Sequence, residues 1–356
     1  MNRADDIRKT VSSSYARAVE QTKTTGGSCC AGPAPQGIPA TLAGYSREAL
    51  AELPQNAVAN SFGCGNPVAL AEIHEGDTVL DLGSGAGIDL LLAAKLTGPK
   101  GKVVGVDMTP EMIECARVNA AAAGLTNVEV LEGIIEDLPV ESGTVDLVIS
   151  NCVINLSPEK KRVFAELHRV LKVGGRISIS DIVAEPMPSW ITEVSMLYSA
   201  CISGAIPEAE YLKGLEEAGL VEVAVSDRLT YDKSQLRALL SVDEGGACCG
   251  ESGGLPKTTI CRMADELAGK VASIRVTARK TPAESPGLMR SSPNSLGCTG
   301  IRASLRGPSA ASASPIFLLD VAAALDCAQI GLLPCSSPRF DALGARFDGE
   351  LGSSSI

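Results

Sequence analysis

The chain has 356 residues, 45% of them apolar and 21% charged, and a net charge of -11. That length accommodates one large domain or two small ones with a real core, and the acidic balance excludes a nucleic-acid binder, which needs a basic face for phosphates. Twelve cysteines stand against two histidines (His74 and His168) and one tryptophan, which excludes a His-rich metal site and points to chemistry run on sulfur.

In chain order, residues 1–70 open with a polar, helix-like stretch and pass into a Gly/Pro-rich segment, 26–39, around Cys29 and Cys30. The first ten residues, MNRADDIRKT, hold no apolar core, so no secretory leader is expected. Residues 71–185 alternate short β-rich runs with amphipathic stretches. The runs are TVLDLG (78–83), KVVGVD (102–107), NVEVLEG (127–133), TVDLVIS (144–150) and RISISD (176–181), with helical patterns at 110–123 and 158–171 among them. Such alternation predicts a parallel sheet with helices on both faces. VEVAVSD (221–227) and KVASIRVTAR (270–279) bring the expected strands to seven. After Lys280 no lysine occurs, and 282–356 is rich in Ser, Ala and Pro, the composition of a weakly ordered appendage. Its most apolar stretch, 316–333, carries Asp320 and Asp326, each costing roughly 2.5–3.5 kcal/mol in mid-bilayer, so no membrane span is expected. A cytoplasmic protein follows, and in a reducing compartment cysteines serve as ligands, catalysts or core fillers more often than as disulfides.

The strongest local motif is VLDLGSGAG at 79–87, an apolar strand that runs from Asp81 into Gly83, Ser84, Gly85 and Gly87. Glycines there permit a sharp turn and close approach of a ligand to the main chain, and the following helix aims its N-terminal amides at that ligand. The position three after Gly85 is Ile88, so the dinucleotide pattern is not met, and no Lys-Ser/Thr follows for a triphosphate. Asp107, twenty residues after Gly87, ends the second strand where it can accept hydrogen bonds from two ribose hydroxyls.

Over residues 60–280 these features resemble the class I S-adenosylmethionine-dependent methyltransferases, with HRVLKVGGRISISD (168–181) similar to a later block of that family. The resemblance implies a Rossmann-like α/β fold, a seven-stranded mostly parallel sheet with lid segments, and S-adenosylmethionine as cofactor. It places Met108 on the adenine and Ile135 and Glu136 at the adenine edge. It also brings Asn151 near the cofactor or makes it a cap of the next turn, and folds Tyr15 over the cofactor or packs it as a helix-face residue.

The acceptor is suggested by the cysteines. Cys64 in SFGCGNP (61–67), Cys152 in SNCVINLS (150–157) and Cys201 in CISGAIP (201–207) could each be a small buried filler. Cys152, however, follows a strand whose carboxyl end is the active edge of an open sheet. Together with GVDMTPEM (105–112) these blocks closely resemble the arsenite methyltransferases, over about residues 10–280. The resemblance implies that Cys64, Cys152 and Cys201 bind trivalent arsenic, and that Cys29 or Cys30 joins a redox cycle with Cys64. Cys248 and Cys249 form either a second thiol pair or an exposed loop, and Cys115 is expected to be core.

The implied substrates are arsenite or its glutathione adduct and methylated arsenicals. The implied reductant is thioredoxin or glutathione, with no stable metal cofactor, no nucleic-acid or membrane partner, and a monomeric enzyme. The expected organisation is an N-terminal helix and Cys-bearing lid at 1–70, a cofactor-binding core at 71–185, an arsenic-binding insertion with the last two strands at 186–281, and the tail at 282–356. Two alternatives stay open. One is methylation of carbon or oxygen on a quinone-like acceptor, and the other is a thiolate module that binds arsenic or zinc without turnover. No pair of CxxC motifs supports a structural zinc site.

Overall fold

The apolar runs become strands because parallel strands buried on both faces favour continuous β-branched sequence. The computed structural model describes residues 3–24, 43–192, 201–241 and 256–282. Cys29, Cys30, Cys248, Cys249 and the tail from 283, including the apolar stretch 316–333, lie outside them.

The strands are β1 (Thr78–Leu82), β2 (Lys102–Asp107), β3 (Val128–Glu132), β4 (Val145–Asn151), β5 (Leu171–Ala184), β6 (Leu220–Thr230) and β7 (Val271–Lys280). Their order is β3-β2-β1-β4-β5-β7-β6. β1 to β5 are parallel, and β7 runs antiparallel between β5 and β6. The expected seven-stranded, mostly parallel sheet is therefore present. β5 begins earlier than its sequence pattern predicts: Leu171 already pairs with Val145, the 172–175 segment loops out at Gly174 (φ 81°), and pairing resumes at Arg176.

The helices are α1 (Arg3–Thr24), α2 (Arg47–Ala51), α3 (Gln55–Ala59), α4 (Ile88–Thr97), α5 (Pro110–Ala122), α6 (Lys160–Val170), α7 (Ser189–Thr192), α8 (Glu208–Glu217), α9 (Lys233–Ser241) and α10 (Lys257–Leu267). α6 shows why they dock. Its buried residues Val163, Phe164, Leu167 and Val170 fall on one stripe, and Phe164 meets Tyr211 of α8 edge-on at 5.4 Å. Cys115, on α5, is buried with Val19, Ala86 and Met112, as expected for a packing residue.

The order in which strands are added to the sheet reverses at β1, which has β2 on one side and β4 on the other. Connections diverge there and leave a crevice at the carboxyl ends of β1 and β4, where ligands of such sheets bind. Among the described residues no helix is long and apolar enough to cross a membrane.

Candidate active site

The crevice is a cleft of about 940 Å³, counting its open mouth, within the range of small-molecule sites. Its floor is the loop after β1. Gly83, Gly85 and Gly87 all have positive φ, at 61°, 51° and 96°. At Gly83 a Cβ would also come within 2.6 Å of Val153, so the loop lies flat against the segment that follows β4.

Three carboxylates crowd the floor. Asp107 accepts hydrogen bonds from the Gly85 N–H at 3.0 Å and the Thr109 N–H at 2.8 Å. Burial still pushes it up, against those bonds. Asp81 is buried, and its Oδ2 has no hydrogen-bond partner. Burial first, then the charges of Asp89 and Asp107, push its carboxyl far above the usual range. Burial likewise raises Asp89 to about 6, although Tyr45 and Asn151 hydrogen-bond to it. A pocket with clustered, buried carboxyls and an orphaned acceptor suits a ligand that carries positive charge.

The roof is made by α1 and residues 60–63. Val11 and Tyr15 face the cleft, and Tyr15 meets Phe62 edge-on at 5.3 Å. Arg8, one turn before Val11, reaches over to Glu136 at 3.0 Å and also pairs with Glu159. Glu136 accepts a further bond from Ser157 Oγ at 2.6 Å, so this buried side chain anchors α1 to the rim. Sequence reasoning did not single out Arg8. Its signal was its place on the same helical face as Val11 and Tyr15, at i, i+3 and i+7.

Each residue expected at the cofactor lines this one cleft: Tyr15, Asp81, Gly83, Ser84, Gly85, Gly87, Asp107, Met108, Ile135, Glu136 and Asn151. Cys152 lines it too, at the end of β4. Behind it Cys64, Cys152 and Cys201 share a single buried cluster, with Leu156, Ile182, Ile202 and Tyr231 around them. Cys64 and Cys152 are joined as a disulfide, with Cα atoms 5.8 Å apart. The Cys201 thiol donates to the Cys152 carbonyl oxygen at 2.7 Å.

Cys152 and Cys201 have φ of 58° and 59°, a left-handed conformation that side chains disfavour. Burial pushes the Cys201 thiol well up, the nearby Asp181 carboxyl adds to this, and Lys160 opposes it. With two sulfurs oxidised, the trio is not an open ligand set; reduction of the disulfide opens it. The redox role that the resemblance implied for Cys29 or Cys30 with Cys64 falls on cysteines outside the described residues, and within them Cys64 is bonded to Cys152. The reason is local: the Cys64 loop is tied by hydrogen bonds to Asn151, the residue before Cys152. His74 is exposed beside Arg176, and His168 is half-buried against Gly219, so neither lines the cleft.

A family model for a methyltransferase domain matches residues 73–219. The arsenite methyltransferase of Halobacterium salinarum is 47% identical over 190 residues, 52% of this chain and 48% of that protein. The arsenite methyltransferase of Mus musculus is 32% identical over 252 residues, 67% of this chain and 64% of that protein. The crystal structure of the arsenic(III) S-adenosylmethionine methyltransferase of Chlamydomonas reinhardtii superimposes with a TM-score of 0.53 at 33% identity, over 68% of this chain and 74% of that one. The chain belongs to the arsenite S-adenosylmethionine methyltransferase family. It spans about half the length of the Halobacterium salinarum arsenite methyltransferase and just under two thirds of the Mus musculus one. Like other class I methyltransferases, this member of the arsenite methyltransferase family opens its cleft at the reversal point of the sheet.

Proposed function

We propose that this protein is an enzyme that methylates trivalent arsenic held by the thiolates of Cys64, Cys152 and Cys201. The observation that carries the reading is the convergence of three cysteines, 88 and 49 residues apart in sequence, at the back of a cleft built for a charged nucleoside. The residues of the cleft fit S-adenosylmethionine. Asp107 would hold the ribose hydroxyls, Met108 and Ile135 would flank the adenine, and the loop from Gly83 to Gly87 would receive the amino-acid end beside the orphaned Asp81 oxygen. When bound, that group supplies an electrophilic methyl on a sulfonium.

The chain's own part is to bind and aim the arsenic. Three thiols can replace the three oxygens of arsenite, each S–H proton leaving with one oxygen as water. No charge is separated, so Cys201 need not ionise first despite its raised affinity for the proton. No general base is needed either, which fits a cleft lined by neither histidine. Soft thiolates suit this soft centre, and three of them leave its lone pair pointing away from the sulfurs. Holding that lone pair in line with the methyl carbon contributes up to roughly 7–11 kcal/mol through proximity. Arsenic is formally oxidised by two electrons in the transfer. Two thiolates that close to a disulfide return those electrons, and the Cys64–Cys152 bond is one such closed pair. Thioredoxin or glutathione would then reset it by exchange, and a cell would use the whole cycle to detoxify arsenic.

The test is purified protein with S-adenosylmethionine, arsenite and a thiol reductant, with arsenic products separated by speciation. Methylated arsenicals that appear only with reductant present are expected. Methylation of an organic acceptor without methylated arsenic would overturn the reading.

A further inference from the structure

Cys64 is flanked by glycines, and the structure gives each a reason. A Cβ on Gly63 would collide with the side-chain amide of Asn151, and one on Gly65 would lie 2.8 Å from Ser180. The loop therefore lies directly on the ends of β4 and β5. Asn151 grips it from below. Its Oδ1 accepts the Cys64 N–H at 3.0 Å and the Gly65 N–H at 3.2 Å. Its Nδ2 lies 2.7 Å from the Gly65 carbonyl oxygen, 2.9 Å from the Tyr45 hydroxyl and 3.0 Å from Asp89 Oδ2. Two backbone donors on one side and acceptors on the other fix which way the amide points.

Tyr45 completes the brace by donating to Asp89 Oδ1 at 2.7 Å. The far side of the loop is held by Ser273 Oγ on the Cys64 carbonyl at 3.1 Å. Asn151 is also bonded covalently to the other cysteine, since Cys152 follows it and donates its N–H to the Ser180 carbonyl at 2.8 Å.

We propose that Asn151 is a positioning residue for the Cys64–Cys152 thiol pair. Its amide, braced by Tyr45 and Asp89, pins the Cys64 backbone to the end of β4, so the two sulfurs stay within bonding reach whether oxidised or reduced. This goes beyond contact with the cofactor, the role or capping duty expected of Asn151. It rests on the reading of Cys64 and Cys152 as working thiols, and its test needs neither arsenite nor methyl donor, so failure of one is distinguishable from failure of the other.

The full-length protein is equilibrated in glutathione buffers of varied ratio, quenched by alkylation and digested. The Cys64–Cys152 cross-linked peptide is then quantified by mass spectrometry. The reaction read is disulfide plus two glutathione thiols giving two protein thiols plus glutathione disulfide. Because the pin raises the effective concentration of one thiol at the other, Asn151→Ala is expected to favour the dithiol by about tenfold, a shift of roughly 30 mV. Tyr45→Phe keeps the amide and removes the hydroxyl that braces it through Asp89 and Asn151, at a residue that does not itself line the cleft; it is expected to shift the constant about threefold the same way. A folded Asn151→Ala protein with a constant within twofold of wild type overturns the proposal. A wild-type constant in Tyr45→Phe overturns the brace, and overturns the whole proposal if Asn151→Ala does not fold.

Discussion

Cys152 and Cys201 share a left-handed backbone with no glycine to ease it, and the fold holds them there against a cost of order 1–3 kcal/mol each. Core fillers seldom sit in such positions, since an apolar residue can be buried without strain. The conformation turns the chain sharply just past β4 and again at the start of the 201–207 segment, so both cysteines enter one cluster with Cys64. Cys152→Ser and Cys201→Ser should each lower the rate of arsenite methylation at least about a hundredfold, because a hydroxyl is a hard, weak ligand for arsenic. Cofactor affinity by calorimetry should stay within a few-fold, since the floor of the cleft is untouched. Normal turnover in both variants would make these residues packing groups after all.

The element that most changes the picture is α1. A mean polar helix in sequence, it becomes the roof of the cleft through one face: Arg8, Val11 and Tyr15. Arg8 is the latch, half-buried between Glu136 and Glu159. Arg8→Leu would keep the stem's apolar contacts and remove both pairs, leaving the buried Glu136 with Ser157. Dissociation of S-adenosylhomocysteine, followed by stopped flow, should then quicken about tenfold and lose much of its dependence on ionic strength. An unchanged rate would mean that α1 does not gate the cleft. The contrast between elements explains what could be read from sequence. The strands and the Gly83 loop were legible because their patterns are local, and Asp107 followed from a fixed distance to that loop. The Arg8 latch and the Asn151 brace join residues 128 and 87 positions apart, and no local period encodes such pairs. The Cys64–Cys152 bond was missed for the same reason: it follows from where the Asn151 amide lies in space.

At the scale of the whole molecule, buried acids set the response to pH. Asp89 and Asp181 are each raised from 3.8 to about 6, chiefly by burial. Asp181 keeps some charge stabilisation, from the Ile182 N–H, Lys160 and the Tyr211 hydroxyl, but not enough to offset its desolvation. Between about pH 4 and 6 the native state therefore binds more protons than the unfolded chain, and stability falls as pH rises through that window. For one such group the loss is on the order of 3 kcal/mol. Asp77 and Glu166, lowered by their arginine partners and backbone donors although burial opposes it, act in the opposite sense, with stability lost below about pH 4. His168, lowered by burial and by Lys280, also gains stability as pH rises through its range, but it is half-exposed and contributes little.

Asp181→Asn isolates the effect, because its amide oxygen can still accept from Asn155 and Ile182. Urea unfolding of the ligand-free protein at pH 4.5 and 7.5 should show wild type losing more stability over that range than the variant, by about 2 kcal/mol. Parallel losses in the two proteins would mean that Asp181 is charged in both states and that burial does not govern its titration.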